Sequence, residues 1–429
     1  MVRLCKKVAK QVAKQVEGPM ERRNAPKFSV PAAHSRPGQR PDFSYLRIDP
    51  PGTLDKPDIM TPCEGMESHA RGLIGVLDNE HKAIGAWDPG LDAETLRDAL
   101  AHMVTTRAFD DRLGKVQRQG KLSFYMKSTG EEAVAVGQGL ALRADDMLFP
   151  SYRQQGLQIV RGRPLLEMMC HCLSNTRDNC KGRQMPVMYS WREGNLFSIS
   201  GNLGTQFSQA VGWAMASGIR GEDSVAAAWV GEGTSAEADF HYALTFASVY
   251  QAPVILNVVN NQWAISSFQG IAGGERTSFA SRGLGYGVPG LRVDGNDLLA
   301  VFAATRWAAD RARSGGGATV IELFTYRADA HSTSDDPSKY RPREESHSWP
   351  LGDPIERLKS HLIGLGEWSE GQQKILEKEA RDRVAKTYKE AESYGTISSP
   401  PRLSLHTMFE DVYRDQPQHL RRQRQQLGV

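Results

Sequence analysis

Four short apolar runs in the centre of the chain, separated by helix-length segments, constrain the fold more than any other feature. The runs lack the alternation of polar and apolar residues that marks a half-exposed strand, so we expect strands buried on both faces. Their alternation with helices predicts an α/β fold: a parallel central sheet flanked by helices, with helical and extended terminal segments. Strands are predicted at 224–230, 253–259, 290–293 and 319–325, and helices at 205–218, 236–249 and 298–312.

The sequence outside these runs changes character along the chain, and four parts are expected. Residues 1–24 carry seven basic and two acidic side chains and are predicted to be a flexible basic tail. Residues 25–90, rich in Pro and Gly, indicate an extended arm of the kind that wraps a neighbour. The α/β domain is expected at 91–350, and a C-terminal helical segment at 351–429. Further amphipathic helices are predicted at 92–113 (with an Asp cap), 130–142, 164–173, 355–362 and 370–391.

Charge, apolar runs and cysteine usage exclude several classes of protein. The chain has 429 residues with 53 basic and 50 acidic side chains, and the basic excess lies at its two ends, so no nucleic-acid partner is expected. No run of 18 apolar residues is present, so no membrane span is expected. Five cysteines without a CxxC pair argue against a disulfide framework or a zinc site. Together with the lack of a secretory signal, they favour the cytoplasm over a mitochondrial matrix.

A glycine-rich turn that contains a carboxylate follows the first central strand. It reads Gly231-Glu232-Gly233, and Thr234 with Glu237 has the pattern of a capping box, which predicts a helix start. Because parallel strands end at one edge of a sheet, Asn260-Asn261 after the second strand is expected to lie close to this turn. Carboxylate and amide oxygens there predict a magnesium ion, bridged to a diphosphate that the backbone amides of the turn would hold.

The same turn also matches the fingerprint of an NAD-binding oxidoreductase, Gly231-x-Gly233-x-x-Ala236. Two details oppose it: Glu232 would place a carboxylate beside a pyrophosphate, and the asparagine pair stands where an acid that binds ribose is expected. An NAD-binding domain therefore remains the alternative from another class. A third alternative, a non-catalytic scaffold with the same fold, is disfavoured because the charged residues of the motifs are intact.

Further motifs carry a family resemblance. With the Gly231 turn and the segment Asn260–Ser266, the chain contains Phe149-Pro150-Ser151-Tyr152-Arg153, Ile199–Gln206 and His331-Ser332-Thr333-Ser334-Asp335-Asp336 in this order. From about Phe43 onward the chain resembles the alpha subunits of branched-chain 2-oxo acid dehydrogenases, also called 2-oxoisovalerate dehydrogenases. The resemblance implies the thiamine diphosphate-binding fold. The implied activity is oxidative decarboxylation of branched-chain 2-oxo acids such as 3-methyl-2-oxobutanoate, with acyl transfer to lipoyl groups. A pyruvate or acetoin dehydrogenase alpha chain is the nearest alternative.

The resemblance also implies roles for particular residues. Magnesium ligands would be Glu232, Asn261 and the Trp263 carbonyl. Potassium ligands would be Ser200, Thr205 and Gln206. The thiamine diphosphate contacts would be Tyr152, Arg153, Gly201, Leu203, Gly233, Thr234 and His331, and His331 would also be catalytic.

Two positions depart from the family pattern. Glu232 replaces the commoner Asp, which keeps the oxygen ligand on a longer side chain. Val259 stands where some relatives have an arginine that contacts phosphate, so Arg153 and His331 are expected to carry more of the positive charge. The loop 329–345 is predicted to be a lid. Phe124 and Tyr125 are candidates for an apolar acyl pocket, with core packing as the alternative.

The implied family is active only as an assembly. Its alpha chain binds the diphosphate, whereas the activating glutamate for the aminopyrimidine ring belongs to a beta chain, and this sequence contains no second domain of that type. The chain is therefore expected to be inactive alone and to assemble as two alpha and two beta chains. A lipoylated acyltransferase component would receive the acyl group.

Overall fold

The central sheet consists of five parallel strands, one more than the sequence predicted. The computed structural model describes residues 29–429, and its strands in chain order are β1 Met147–Phe149, β2 Ala226–Gly231, β3 Val254–Asn260, β4 Trp263–Ala264, β5 Ser267–Phe268, β6 Gly290–Asp294 and β7 Thr319–Phe324. The order across the sheet is β1-β2-β3-β7-β6, and β4 pairs with β5 separately. The four predicted strands are confirmed within two residues of their bounds. β1 was not predicted.

Helices cover both faces of this sheet, as predicted. In chain order they are α1 Glu67–Arg71, α2 Ala93–Arg118, α3 Glu132–Ala141, α4 Gln155–Val160, α5 Leu165–Leu173, α6 Thr205–Arg220, α7 Ala238–Val249, α8 Ser281–Leu284, α9 Leu298–Arg313, α10 Pro354–Gly364, α11 Glu370–Ser393 and α12 Gln418–Leu427. Among the described residues, no helix has both the length and the apolar character needed to cross a membrane.

Successive strand residues point to opposite faces, so each strand contributes to two cores. On one face Ala227 and Trp229 of β2 pack in a cluster with residues of α3 and α9. On the other, Ala228 and Val230 pack with residues of α6 and α7. The strands are buried because both faces are covered, and polar side chains within them, such as Asn257 and Glu322, are hydrogen-bonded inside the fold.

The start of α7 differs from the prediction. Residues Glu232–Ala236 form a 3₁₀ turn, and α7 begins only at Ala238, with no side-chain cap. The Ser235 hydroxyl donates to the Glu232 carbonyl (2.6 Å), and the Glu237 amide donates to the Thr234 carbonyl (2.9 Å), which closes the turn through the backbone. The predicted capping box is therefore wrong. The cap of α2 is confirmed, since the Asp92 side chain accepts from the Thr95 amide (2.7 Å).

The arm packs on its own chain. Ile74 pairs with Val293 along the open edge of β6, and the Asp297 carboxylate accepts from the amides of Val76 (2.8 Å) and Leu77 (2.6 Å). This contact covers an edge strand that would otherwise expose unpaired backbone groups. This part of the arm therefore packs on its own chain, and contact of the arm with a neighbouring chain stays a prediction. The predicted basic tail, residues 1–24, lies outside the described residues.

Candidate active site

The strand register brings the predicted motifs to one edge of the sheet. Gly231 at the end of β2 lies beside Val259, and Asn260 at the end of β3 lies beside Phe324 at the end of β7. The turn after β2, the asparagine pair and the segment that leads to His331 therefore leave the sheet together. β1 ends at Phe149, which places Tyr152 and Arg153 after a fourth strand of the same sheet.

Glu232 is a buried carboxylate that lacks one partner. Its Oε2 atom accepts a hydrogen bond from the Asn261 amide (3.3 Å), whereas its Oε1 atom is buried without any hydrogen-bond partner. Burial raises the pKa of Glu232 to about 7. A buried carboxylate oxygen without a donor is costly, and a bound cation would offset that cost.

The other two predicted magnesium ligands adjoin Glu232. The Asn261 side chain donates from Nδ2 to Glu131 (2.7 Å) and accepts at Oδ1 from the Trp263 amide (3.3 Å), which fixes the orientation of its amide group. The Trp263 carbonyl accepts from Arg327 Nη1 (2.7 Å) and has a second lone pair. A carboxylate, an amide oxygen and a carbonyl form the oxygen set that magnesium prefers, so these residues fit the ion.

The positive charge of the site lies on two buried guanidinium groups. Arg153 donates from Nη2 to the His331 carbonyl (2.9 Å), and Arg327 donates to the Tyr340 hydroxyl (2.7 Å) as well as to Trp263. Burial, together with Arg153 and Arg327, lowers the pKa of His331 to about 3. His331 is therefore neutral at pH 7, contrary to the expectation that it shares the charge with Arg153. The second buried positive charge that faces His331 lies on Arg327.

Two buried charged residues of this site, Arg327 and Glu131, are not among the residues that the motifs predict. Arg327 follows β7 by three residues, on the same edge as His331, and it is almost fully buried. Glu131 is also buried, its pKa is raised to about 7 by burial, and it holds Asn261. A charged residue close behind a buried strand is the pattern that identifies Arg327, whereas Glu131 lies directly before α3, follows no strand, and has no comparable signal in the sequence.

Tyr152 completes the group around His331. The two rings meet edge to face with centroids 6.0 Å apart, and the Arg153 guanidinium lies 5.4 Å from the Tyr152 ring centroid. Tyr152, Arg153 and His331, predicted from separate motifs, therefore contact one another.

The three predicted potassium ligands lie where the loop before α6 enters the helix, with Ser200 in the loop and Thr205 and Gln206 as the first two residues of α6. The Ser200 hydroxyl accepts from the Asn202 amide, and the Thr205 hydroxyl donates to the Asn202 carbonyl, each at 3.0 Å. Gln206 donates to the Trp229 carbonyl (2.8 Å), whereas its Oε1 atom is buried without a partner. The loop adjoins the turn after β2, because a Cβ placed on Gly204 would lie 3.5 Å from Thr234 Cγ2. Gly201 and Leu203 are exposed on this loop.

The acyl-pocket candidates separate in the structure. The Tyr125 side chain is fully buried and donates to Asp110 (2.6 Å), so it is a core residue and the pocket prediction is wrong for it. Phe124 is half-buried beside it. The backbone of Tyr125 accepts from the Thr333 amide (3.0 Å), which ties the predicted lid, 329–345, to this segment.

Comparison with known proteins decides the family. A family model described as dehydrogenase E1 component matches residues 101–399. The chain belongs to the dehydrogenase E1 component family. A second model, described as the N terminal of the 2-oxoisovalerate dehydrogenase E1 alpha subunit, matches residues 24–64 of this E1 component. The resemblance that the motifs indicated is confirmed.

Several relatives cover most of this E1 component. It is 56% identical over 403 residues to the 2-oxoisovalerate dehydrogenase subunit alpha of Pseudomonas aeruginosa, covering 94% of this chain and 98% of that protein. The mitochondrial 2-oxoisovalerate dehydrogenase subunit alpha of Homo sapiens is 36% identical over 407 residues, 91% of this chain and 88% of that protein. The pyruvate dehydrogenase E1 component subunit alpha of Acholeplasma laidlawii is 37% identical over 337 residues, 78% and 93% respectively.

Proposed function

We propose that this E1 component is the alpha chain of a branched-chain 2-oxo acid dehydrogenase, with 3-methyl-2-oxobutanoate as a substrate. It would catalyse oxidative decarboxylation and pass the acyl group to lipoyl groups. The observation that carries the chemistry is Glu232, whose buried and unpartnered oxygen lies at the sheet edge beside Asn261. The substrate class rests on the bacterial relative, which is 56% identical over nearly its whole length.

The cofactor consistent with this site is thiamine diphosphate with magnesium. When bound, thiamine diphosphate supplies the carbanion stabilisation that decarboxylation of a 2-oxo acid needs. Glu232, Asn261 and the Trp263 carbonyl would hold the magnesium ion. Arg153 and Arg327 would neutralise the diphosphate through charge-assisted hydrogen bonds. The remaining contacts would be Tyr152, Gly201, Leu203, Gly233 and Thr234, and Ser200, Thr205 and Gln206 would hold potassium.

His331 would act as a neutral hydrogen-bond donor. Its Nδ1 atom faces the guanidinium groups of Arg153 (3.2 Å) and Arg327 (3.5 Å), which only donate. The proton of the neutral ring therefore sits on Nε2, which can donate to an oxygen of the cofactor or the substrate. Phe124 is the remaining candidate for the acyl pocket.

An exposed apolar stripe supports a beta chain as the partner. Tyr242, Phe246, Val249 and Tyr250 lie on one face at the spacing of an α-helix and are each more than half exposed. The stripe lies on α7, the helix that follows the Glu232 turn, and Tyr250 comes directly after the last residue of this helix. A beta chain seated there would lie next to the cofactor site and complete it. We propose two alpha and two beta chains, a lipoylated acyltransferase as acceptor, and a cytoplasmic location like that expected for the bacterial relative.

The four segments of the chain keep their proposed roles in this assembly. Residues 91–350 would bind the cofactor, and residues 351–429 would form a helical segment beside it. Residues 25–90 would be the arm and residues 1–24 a basic tail.

Activity on pyruvate is the second candidate, because the Acholeplasma relative is named a pyruvate dehydrogenase. The deciding experiment is co-expression with a beta chain, followed by decarboxylation assays on pyruvate, 2-oxobutanoate and branched 2-oxo acids. We expect the highest kcat/KM on branched substrates and no activity of the single chain. A higher kcat/KM on pyruvate would support the second candidate. Full activity of the single chain would overturn the proposal that a beta chain is needed to complete the site.

A further inference from the structure

Three different metal-ligating side chains meet beyond the end of α5. His171 lies in the last turn of this helix, and Asp178 and Cys180 lie in the loop that follows. One ligand atom of each lies within 4.8 Å of the other two. His171 and Asp178 are buried, and Cys180 is half-buried. None of the three belongs to the proposed active site.

Hydrogen bonding around His171 leaves a place for a cation. Its Nε2 atom lies 3.2 Å from the Met185 carbonyl, which only accepts, so Nε2 carries a proton. In the neutral ring Nδ1 is then an acceptor, and it faces Asp178 Oδ1, also an acceptor, at 3.2 Å. Two acceptors at this distance require a proton or a metal ion between them. A proton would be shared by the His171 imidazole and the Asp178 carboxylate, and a metal ion would bind both.

His171 and Asp178 are held by hydrogen bonds of the kind that usually orient metal ligands. A histidine that binds a metal usually donates its other N–H to a carbonyl or carboxylate, as His171 does to Met185. The Asp178 carboxylate is oriented by the amides of Cys180 (2.9 Å) and Gly182 (2.8 Å). Around tetrahedral zinc, a nitrogen and an oxygen ligand lie about 3.3 Å apart, close to the 3.2 Å between His171 and Asp178.

We propose that His171 Nδ1, Asp178 Oδ1 and Cys180 Sγ bind one divalent metal ion of the zinc class, a site that the spacing of the cysteines did not predict. A donor set of nitrogen, oxygen and sulfur selects Zn²⁺ or Co²⁺ over Mg²⁺, so this site differs in kind from the oxygen site at Glu232. Water would take the fourth position, since Cys180 is partly open to solvent. Binding releases the thiol proton of Cys180 to solvent as the thiolate–metal bond forms.

The ion would fasten a loop to which the C-terminal segment docks. Lys181 pairs with Glu410 (2.8 Å) and Asp411 (2.6 Å), and Arg183 donates to the Thr407 carbonyl. Both basic residues lie within three positions of Cys180. Metal binding should therefore protect residues 403–411 from hydrogen exchange.

Cobalt titration of the alpha–beta complex, under reducing conditions without chelator, tests the site. We expect one equivalent of Co²⁺ to produce a thiolate-to-cobalt charge-transfer band. Cys180→Ser should abolish the band and weaken Co²⁺ binding by more than about 100-fold, beyond the usual effect of losing a supporting contact. Cys63→Ser, the same change at another half-buried thiol, should keep the band. Glu232→Gln should also keep it, because oxygen ligands give no thiolate band.

Two results would overturn the proposal. One is a wild-type complex without the band, which would mean that His171 is an imidazolium paired with Asp178. The other is a band that persists in Cys180→Ser, and its loss in Cys63→Ser would then identify Cys63 as the thiolate ligand. Thermal midpoints measured without metal separate loss of binding from loss of folding, and loss of the proposed decarboxylation would leave the band unchanged.

Discussion

The buried carboxylate of Glu232 lacks a hydrogen-bond donor for one of its two oxygens. Its Oε1 atom has no partner, and a buried acceptor without a donor costs about 1–3 kcal/mol. We predict that Glu232→Gln weakens magnesium-dependent binding of thiamine diphosphate by more than about 100-fold, as expected for loss of a metal ligand. The thermal midpoint of the metal-free protein should stay the same or rise, because the variant removes a charge that burial disfavours. Calorimetric titration and thermal unfolding measure the two effects.

Glu322→Gln is the matched control for this prediction. Glu322 is equally buried in β7, but its two oxygens accept from Asn260 Nδ2 (2.8 Å) and the Ala280 amide (3.1 Å). This variant should bind the cofactor as the wild type does. Equal loss of binding in both variants would show that cofactor binding depends on any buried carboxylate of the sheet. That result would contradict the role of Glu232 as a metal ligand.

His331 should make the stability of the protein depend on pH. Burial and two guanidinium groups lower its pKa from 6.5 to about 3. Between these values the unfolded chain binds a proton that the folded chain does not. The neutral His331 side chain therefore contributes fully to the free energy of unfolding above pH 6.5. As the pH falls, this stabilisation is lost by at most about 1.4 kcal/mol per pH unit. Comparing thermal midpoints at pH 7.5 and 5.5, we expect His331→Gln to show a smaller decrease than the wild type.

His347→Gln provides the comparison, since His347 is an exposed histidine of the same region. It should show the decrease of the wild type. If His331→Gln and His347→Gln behave alike, the pH dependence originates elsewhere in the protein.

The turn between β2 and α7 sets the position of Glu232, and one glycine makes the turn possible. A Cβ on Gly233 would lie closer to the Ala264 Cβ than non-bonded carbon atoms come, so Gly233→Ala must displace the turn or β4. A shift of about 1 Å at a site of this kind costs roughly 100-fold in rate. We expect Gly233→Ala to reduce both cofactor affinity and activity with the beta chain. Titration with thiamine diphosphate and a decarboxylation assay measure these effects.

Gly231→Ala is the control at the same turn. A Cβ there meets no atom within 4 Å, and the backbone does not have the positive φ that favours glycine. This variant should retain cofactor affinity. A comparable loss at Gly231 would indicate that any change in the turn is harmful and that the close approach to Ala264 is not the cause.

The elements differ in how far the sequence determines them. β2, β3, β6 and β7 were predictable because both of their faces are buried, which leaves short, mostly apolar runs in the sequence. β1 has three residues, too few for a pattern, and it is defined by pairing with β2. The capping-box pattern predicts a helix start at Thr234, but backbone hydrogen bonds make Glu232–Ala236 a 3₁₀ turn, and α7 begins after it. Motif order predicted which loops meet at the sheet edge, whereas the contacts of Arg327 and the burial of Tyr125 depend on packing between distant segments.

At the scale of the whole molecule, the stripe on α7 is an apolar surface that the isolated chain leaves exposed. Phe246 lies near its centre and is 51% exposed. Apolar anchors at the centre of an interface commonly contribute 2 kcal/mol or more, and a charge placed there would be buried without a partner. We predict that Phe246→Arg weakens association with the beta chain by at least about 2 kcal/mol, roughly 30-fold. Co-purification with a tagged beta chain and sedimentation velocity measure this loss.

Ile375→Arg is the matched control, because Ile375 is 59% exposed on α11, away from the stripe. It should assemble normally. Phe246→Arg should still bind thiamine diphosphate weakly through the alpha chain, since Glu232 and the two arginines are unchanged, while its decarboxylation falls with the loss of the beta chain. A Phe246→Arg variant that assembles fully would mean that the beta chain binds another face. In that case the stripe on α7 would have no part in completing the site.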